Sequence, residues 1–429
     1  MIRKVWGKKR IDVNENSNSK YYGWYIVLAA SIITLLTVGF RLGVGPFVKP
    51  VIHDLGMSRT EFSLIVAVSA LVYGLGMPLA GILLKRYSTR LVLIAGVIMV
   101  DVSLVWTIYA RGIISFLLSF GILLSLGLSF LSPVALTPIV SNWFVRQRGK
   151  ALFYLSTGSM AGIAIMSPLE TFLIESLGWQ QTLFMFAGLF VCIVIPCALF
   201  VMRDEVPEGA DMKKGEIDEG IKVNKLVNLP EITWRDAVNT RVYWQIVIGL
   251  FACGFSMNLL GSHAVPMLID HHFEPMTASF GIGMIGIVAI FSTLFLGSIA
   301  DRYSRKNILF WIYFVRGLGF LGLVLVVNPW QLYLVAAIGG MVWAGSTAMS
   351  SAILSDLYGV KLLGLLYGWA YFGHQIGGAI GTFLGGWGYE TLGTHFFAFG
   401  LTTVILLVAS AVSYLLPARR TVTNPHPLN

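Results

Sequence analysis

Apolar residues run in blocks of roughly 20 or more, the length that spans a bilayer core, and charged residues cluster between the blocks. Read this way, the chain predicts spans near 22–48, 60–84, 91–110, 113–142, 151–174 and 182–202. After one long polar stretch come 242–268, 278–300, 307–327, 331–355, 362–390 and 395–416. Runs of this length are expected to be helical, because a helix satisfies its own backbone in lipid. The expected fold class is an all-α membrane protein, with twelve transmembrane helices in two six-helix halves. The halves would be 22–202 and 242–416, with tails at 1–21 and 417–429. Segment 203–241 carries many charges of both signs and cannot bury a core, so it reads as a linker with a surface helix around Trp234 to Val238.

Composition narrows the picture. The 429 residues are 56% apolar and 12% charged, against about 45–50% and about 25% in soluble domains. This excludes a soluble enzyme, a nucleic-acid module and a secreted disulfide scaffold. A net charge of +9 would suit nucleic acid, but its distribution points elsewhere. If α-helical spans alternate direction, most Lys and Arg collect on one side, and only Lys49, Arg59 and Arg111 fall on the other. The positive-inside rule then places both termini in the cytoplasm, with the protein in the plasma membrane, the inner membrane in a bacterium. Cys192, Cys197 and Cys253 lie in apolar runs and imply no disulfide framework. The basic, polar start MIRKVWGKKRIDVNENSNSK has no apolar core and reads as a tail, not a cleaved signal peptide.

An internal repeat divides the chain at the same point. Gly81-Ile-Leu-Leu-Lys85-Arg86-Tyr87-Ser88-Thr-Arg90 follows the second span, and Gly297-Ser-Ile-Ala-Asp301-Arg302-Tyr303-Ser304-Arg305-Lys306 follows the eighth. Parallel six-span repeats are one of the architectures of transporters. The second copy resembles the signature of the major facilitator superfamily; in the first, Lys85 takes the usual Asp position. Further segments resemble the monocarboxylate-transporter branch and its bacterial relatives. They are Tyr22-Gly-Trp24, Asn142-Trp-Phe144-Val-Arg146-Gln-Arg148-Gly149, Gly178-Trp179, Ser262-His263-Ala-Val-Pro266 and Ile287-Val-Ala-Ile-Phe291. By that resemblance Lys85, Arg86, Arg90, Asp301, Arg302 and Arg305 would form a cytoplasmic gate between the halves.

A charge inside a span costs about 2.5–3.5 kcal/mol on insertion scales, so Arg41, Asp101, Glu170, His263, Arg316 and His374 each need a reason. Arg41 lies in Gly39-Phe-Arg-Leu-Gly43-Val-Gly45-Pro46, where glycines and a proline loosen the helix beside a fixed cation. A guanidinium there suits a carboxylate, which it grips with two parallel hydrogen bonds. The alternatives are that Arg41 reaches the interface or pairs with an acid such as Glu170. The branch typically carries its basic residue one position later, at Leu42 here. It also carries an Asp and an Arg in the eighth span, where this chain has Ala289 and Thr293, so that coupling mechanism does not carry over.

Asn258 and His263 in the seventh span are expected to face the same cavity as Arg41. Tyr371, His374 and Gln375 in the eleventh would add hydrogen bonds to a substrate. His263 and His374, which titrate near neutral pH, are the coupling candidates, together with Asp101 and Arg316. Gly373, Gly377, Gly381 and Gly385 form a ridge for close helix packing, expected also to ease rocking of the halves. No metal-ligand cluster, nucleotide loop or nucleophile elbow is visible, so neither cofactor nor enzymatic activity is expected. The resemblance implies a secondary transporter for a small organic anion, a monocarboxylate, working by alternating access; the titratable His263 and His374 point to proton symport as its energy source, and the protein is expected to be a monomer. The alternative is efflux of a drug, siderophore or larger metabolite. A receptor that keeps the fold without transporting is disfavoured by the short, polar tails.

Overall fold

The computed structural model of the chain describes residues 21–144, 147–206, 233–300 and 303–417. The described residues form helices and connecting turns, with no strand among them. In the first half are α1 (Gly23–Leu42), α2 (Arg59–Arg86), α3 (Thr89–Ile108), α4 (Ile113–Trp143), α5 (Arg148–Leu177) and α6 (Trp179–Val201). In the second are α7 (Arg241–Asp270), α8 (Pro275–Ala300), α9 (Arg305–Leu325), α10 (Pro329–Tyr358), α11 (Val360–Leu392) and α12 (Phe396–Tyr414). Eleven described segments are long and apolar enough to cross a membrane, and the 33-residue α11 completes the twelve. The short surface helix is present at Trp234–Val238; most of the rest of the linker lies outside the described residues.

Odd-numbered helices rise from the face where the chain ends emerge, here the tail face, and even-numbered ones return from the distal face. Local chemistry sets the reversals. Ser58 and Glu61 exchange side-chain-to-backbone hydrogen bonds, a reciprocal cap that starts α2. Gly112 and Gly178 adopt φ of 88° and 85° in the α3–α4 and α5–α6 turns, conformations that a side chain would strain. Large apolar side chains such as Leu75, Phe184, Phe291 and Trp369 point outward, each more than half exposed. Such a belt is tolerable only against lipid.

Each half closes its own hydrophobic core. Within the halves α1 lies along α5 and α7 along α11; between them α2 meets α11 and α5 meets α8. The glycine ridge of α11 serves the first kind of contact. A Cβ at Gly377 would stand 2.2 Å from the Phe251 carbonyl oxygen, and one at Gly381 would stand 2.6 Å from that of Phe255. The ridge therefore fastens α11 to α7 inside one half, instead of easing motion between halves as expected.

Three spans are not continuous. α1 ends at Gly43, passes through a 3-10 turn at Gly45–Phe47 and restarts as the short helix Val48–Leu55. α4 breaks at Leu131 and restarts behind the Ser132 cap and Pro133. α10 breaks between Met341 and Gly345. The loosening of α1 is legible in its glycines and proline, whereas nothing in the apolar pattern marks the break in α10.

Candidate functional site

Arg41 lies in the last turn of α1, where the helix is about to break. Its Nη2 donates to Asn258 Oδ1 and to Gln375 Oε1, each at 3.0 Å. Its guanidinium lies over the Tyr73 ring, 4.1 Å from the centroid. Four helices from both halves thus converge on one cation: α1 and α2 from the first, α7 and α11 from the second. Asn258 is fixed by its own Nδ2, which donates to the Gly254 carbonyl one turn back at 3.0 Å. Close packing brings these groups in, since a Cβ at Gly74 would meet Gln375 at 2.7 Å and one at Gly378 would meet Asn258 at 2.3 Å.

The electrostatics of this cluster are unbalanced. Arg41 has only neutral amide oxygens and an aromatic face around it, with no carboxylate paired to it among the described residues. It does not pair with Glu170. That side chain lies on α5 against Gly43, fully buried, and neither carboxylate oxygen has a hydrogen-bond partner among the described residues. With both N–H groups of Nη2 given to the two amides, Arg41 keeps the donors of Nη1 and the Nε–H without a protein acceptor among those residues, and a carboxylate could accept from one of them.

The other sequence candidates separate from this centre. His263 does not reach Arg41. Its Nε2 lies 2.9 Å from the Thr382 carbonyl oxygen and 3.3 Å from Ser63 Oγ, so it joins α7 to α11 and to α2. Tyr371 packs against the core of the first half and stacks on His374 with centroids 4.7 Å apart. His374 is buried, with no hydrogen-bond partner for either ring nitrogen among the described residues. Arg316 is buried inside the second half. It donates to Cys253 Sγ at 3.2 Å, to the Val342 carbonyl at 2.7 Å and to the Trp343 carbonyl. Those carbonyls are released by the break in α10, so Arg316 caps a helix break. Asp101 is partly buried on α3, with one oxygen unpartnered. Thr293 turns its hydroxyl back to the Ala289 carbonyl at 2.6 Å, and α8 brings no charge to the site.

Among the described residues, the proposed gate on the tail face makes no bond between the halves. Lys85 and Arg86 are exposed. Arg90 donates to Met202 in its own half at 2.7 Å, and Arg305 pairs with Asp356 in the other. Asp301 and Arg302 lie outside the described residues.

The halves are locked instead at the distal face, which sequence reasoning missed. Asp270, at the end of α7, accepts from Lys49 at 2.7 Å and from both terminal nitrogens of Arg59 at 2.6 and 3.1 Å. His395 joins the same carboxylate at 2.9 Å. Arg59 also stacks on Tyr389, 3.9 Å from its centroid, and Glu390 accepts from the Thr60 N–H at 2.9 Å. Burial pulls the His395 imidazole below its usual range, against the hydrogen bond to Asp270. The one available signal was that Lys49 and Arg59 break the charge asymmetry of the loops and so need an acid nearby.

This architecture agrees with known proteins. The model of the Major Facilitator Superfamily matches residues 30–329 and, in a second match, 286–428. The chain is similar to an uncharacterized MFS-type transporter, YcxA, of Bacillus subtilis, with 25% identity across 92% of this chain and 95% of that protein. It is 24% identical to monocarboxylate transporter 4 of Rattus norvegicus, over 91% of this chain and 75% of the relative. Monocarboxylate transporter 2 of Homo sapiens is 23% identical, over 79% and 73%. A solved bacterial homolog of the human lysosomal transporter Spinster, inward-facing and occupied, superposes with a TM-score of 0.72. It shares 16% identity over 93% of this chain and 97% of that one, a likeness of fold. The chain is a member of the Major Facilitator Superfamily.

Proposed function

We propose that this protein is a secondary active transporter that moves a small monocarboxylate by alternating access, in symport with protons. The observation that carries this reading is the cation of Arg41, held by neutral groups where four helices of both halves meet. A partly buried guanidinium without a counter-ion is costly, and a carboxylate would balance it with charge-assisted hydrogen bonds. Because Asn258 and Gln375 belong to the second half and Arg41 to the first, a bound anion would also bridge the halves. The rat and human monocarboxylate transporters among its relatives support the substrate class.

In this reading the basic tail face is cytoplasmic, in the plasma membrane. The Asp270 cluster then closes the external mouth, and the structure is closed outward. Substrate entering from outside would meet Arg41 after the Asp270 contacts part, and leave toward the tail face once they re-form. Asn258 and Gln375 hold the guanidinium in place through Nη2, so its remaining donors are fixed before the anion arrives.

The test is thermal stability of the purified protein against monocarboxylates, dicarboxylates, large chelators and lipophilic cations, with Arg41→Gln alongside. A ligand at about 100 times its dissociation constant stabilises the fold by about 2.7 kcal/mol. A shift with small monocarboxylates that vanishes in the variant is the expected result. A shift with bulky compounds alone, unchanged in Arg41→Gln, would replace this reading with efflux of a larger metabolite.

A further inference from the structure

Glu170 is the strongest unassigned feature of the molecule. It stands about two turns below the distal end of α5, fully buried, with both carboxylate oxygens unpartnered among the described residues. Its carboxyl group presses on the backbone of α1, where a Cβ at Gly43 would stand 2.1 Å from Oε2. Gly43 begins the break in α1, and the turn that follows touches the other half: a Cβ on Gly45 would stand 3.0 Å from the Gly261 carbonyl oxygen of α7. The neighbouring Thr171 hydrogen-bonds to Ser279 of α8, also across the halves. Glu170 therefore sits beneath the distal lock, at the seam that must part if the distal face opens.

Few other charges surround it. Of the elements packed against α5, α1 contributes Arg41, which is turned to Asn258 and Gln375, and Tyr25, which is exposed on the opposite side of the membrane. The α6 helix contributes Cys192, exposed, and Cys197. α8, the second part of α4 (Pro133–Trp143) and the turn Gly45–Phe47 contain no charged or titratable side chain. On α5 itself Lys150, Tyr154 and Glu175 are exposed. An ionised carboxylate buried with no donor is penalised by several kcal/mol, and the group neutralises instead.

We propose that Glu170 is a proton-operated latch of the distal face: its carboxylate takes a proton from distal water as that face closes and returns it to the same side when the seam opens, so it sets the pH at which the face closes and carries no proton across the membrane. The chemistry is one reversible O–H bond, with no other reactant. The proposal rests on the alternating-access reading above and names the group through which protons bias it. A closed distal face thereby holds one proton more than an open one, so lowering the pH favours closure. His395 acts with the opposite sign, because burial disfavours its protonated form in the closed lock.

The experiment measures distance across the distal mouth of the full-length protein in lipid, as a function of pH. Probes are attached to cysteines placed at the exposed Glu175 and Glu274, with Cys192 and Cys197 changed to Ser and the buried Cys253 retained. His395→Gln is the common background, so that its titration is absent. The expected ratio of closed to open molecules rises about tenfold per unit fall in pH, over the range where one proton separates the states. Glu170→Gln, neutral at every pH, should remain closed and lose that response. As a check independent of folding of the variant, infrared difference spectra of the parent between high and low pH should show a protonated carboxyl band appearing as the mouth closes. A pH response that survives unchanged in Glu170→Gln, or closure without that band, overturns the proposal while leaving alternating access intact. A distal mouth that stays closed at every pH and with every ligand overturns alternating access itself, and the proposal with it.

Discussion

Replacing Asp270 by Asn should open the distal face. The carboxylate is the shared anion of Lys49 at 2.7 Å and Arg59 at 2.6 and 3.1 Å, both from the first half, while Asp270 belongs to the second. Its side chain is 15% exposed, that of Arg59 14% and that of Lys49 34%. The Lys49 pair is wet enough to contribute about 0.5–1 kcal/mol. The two-bond Arg59 pair is more enclosed, and cutting it leaves a guanidinium without its anion, for about 2–3 kcal/mol. Asparagine keeps the shape and can still accept one hydrogen bond, so about 3 kcal/mol is a fair sum. That corresponds to a shift of roughly a hundredfold in the ratio of closed to open molecules. The assay is the same distance distribution across the distal mouth, with Arg59→Met and the double variant to isolate the pair. An unchanged distribution in Asp270→Asn would refute the reasoning, as would additive effects of the two single variants.

Three other outcomes follow from particular contacts. Arg316→Met should lower stability by about 1–3 kcal/mol, because the Val342 and Trp343 carbonyls in the broken turn of α10 lose their buried donor; thermal unfolding reads this, and no loss would show that the break holds without it. Gly378→Ala should weaken carboxylate binding without touching Arg41, because the new methyl group meets Asn258 at 2.3 Å, an overpacking that costs about 1–3 kcal/mol; titration of the purified variant with a monocarboxylate checks it. His395→Gln should remove one acid-side loss of closure, so that below about pH 6.5 the closed fraction, read across the distal mouth, rises more steeply with falling pH than in the parent. With its closed-state value below the usual one of about 6.5, His395 supports closure above that pH and loses that support as the pH falls below it.

The architecture was legible because apolar runs of bilayer length have one stable outcome in lipid. The break in α1 was legible too, since Gly39, Gly43, Gly45 and Pro46 announce it. Part of the site could also be read: Arg41, Asn258 and Gln375 were singled out as polar groups within spans, and the fold brings those three together. Tyr73 was missed because an aromatic within a span looks like any other apolar residue. His263 was misplaced because helical spacing gives its distance along α7 from Asn258 but not which neighbouring helix its face meets. The Asp270 lock was missed for a related reason. Lys49, Arg59, Asp270 and His395 lie far apart in sequence, and only the docking of the halves makes them one cluster. Arg316 became intelligible only once α10 was seen to break opposite it.

The central claim is that Arg41 recognises a carboxylate. Its most direct test compares the affinity of a monocarboxylate with that of its carboxamide, of nearly the same shape, for the parent and for Arg41→Gln. The account predicts that the amide binds more weakly than the acid by about 1–2 kcal/mol, the excess of a charge-assisted hydrogen bond over a neutral one, and that the gap closes in the variant. Equal affinity of acid and amide for the parent, or a gap that persists in Arg41→Gln, would contradict it.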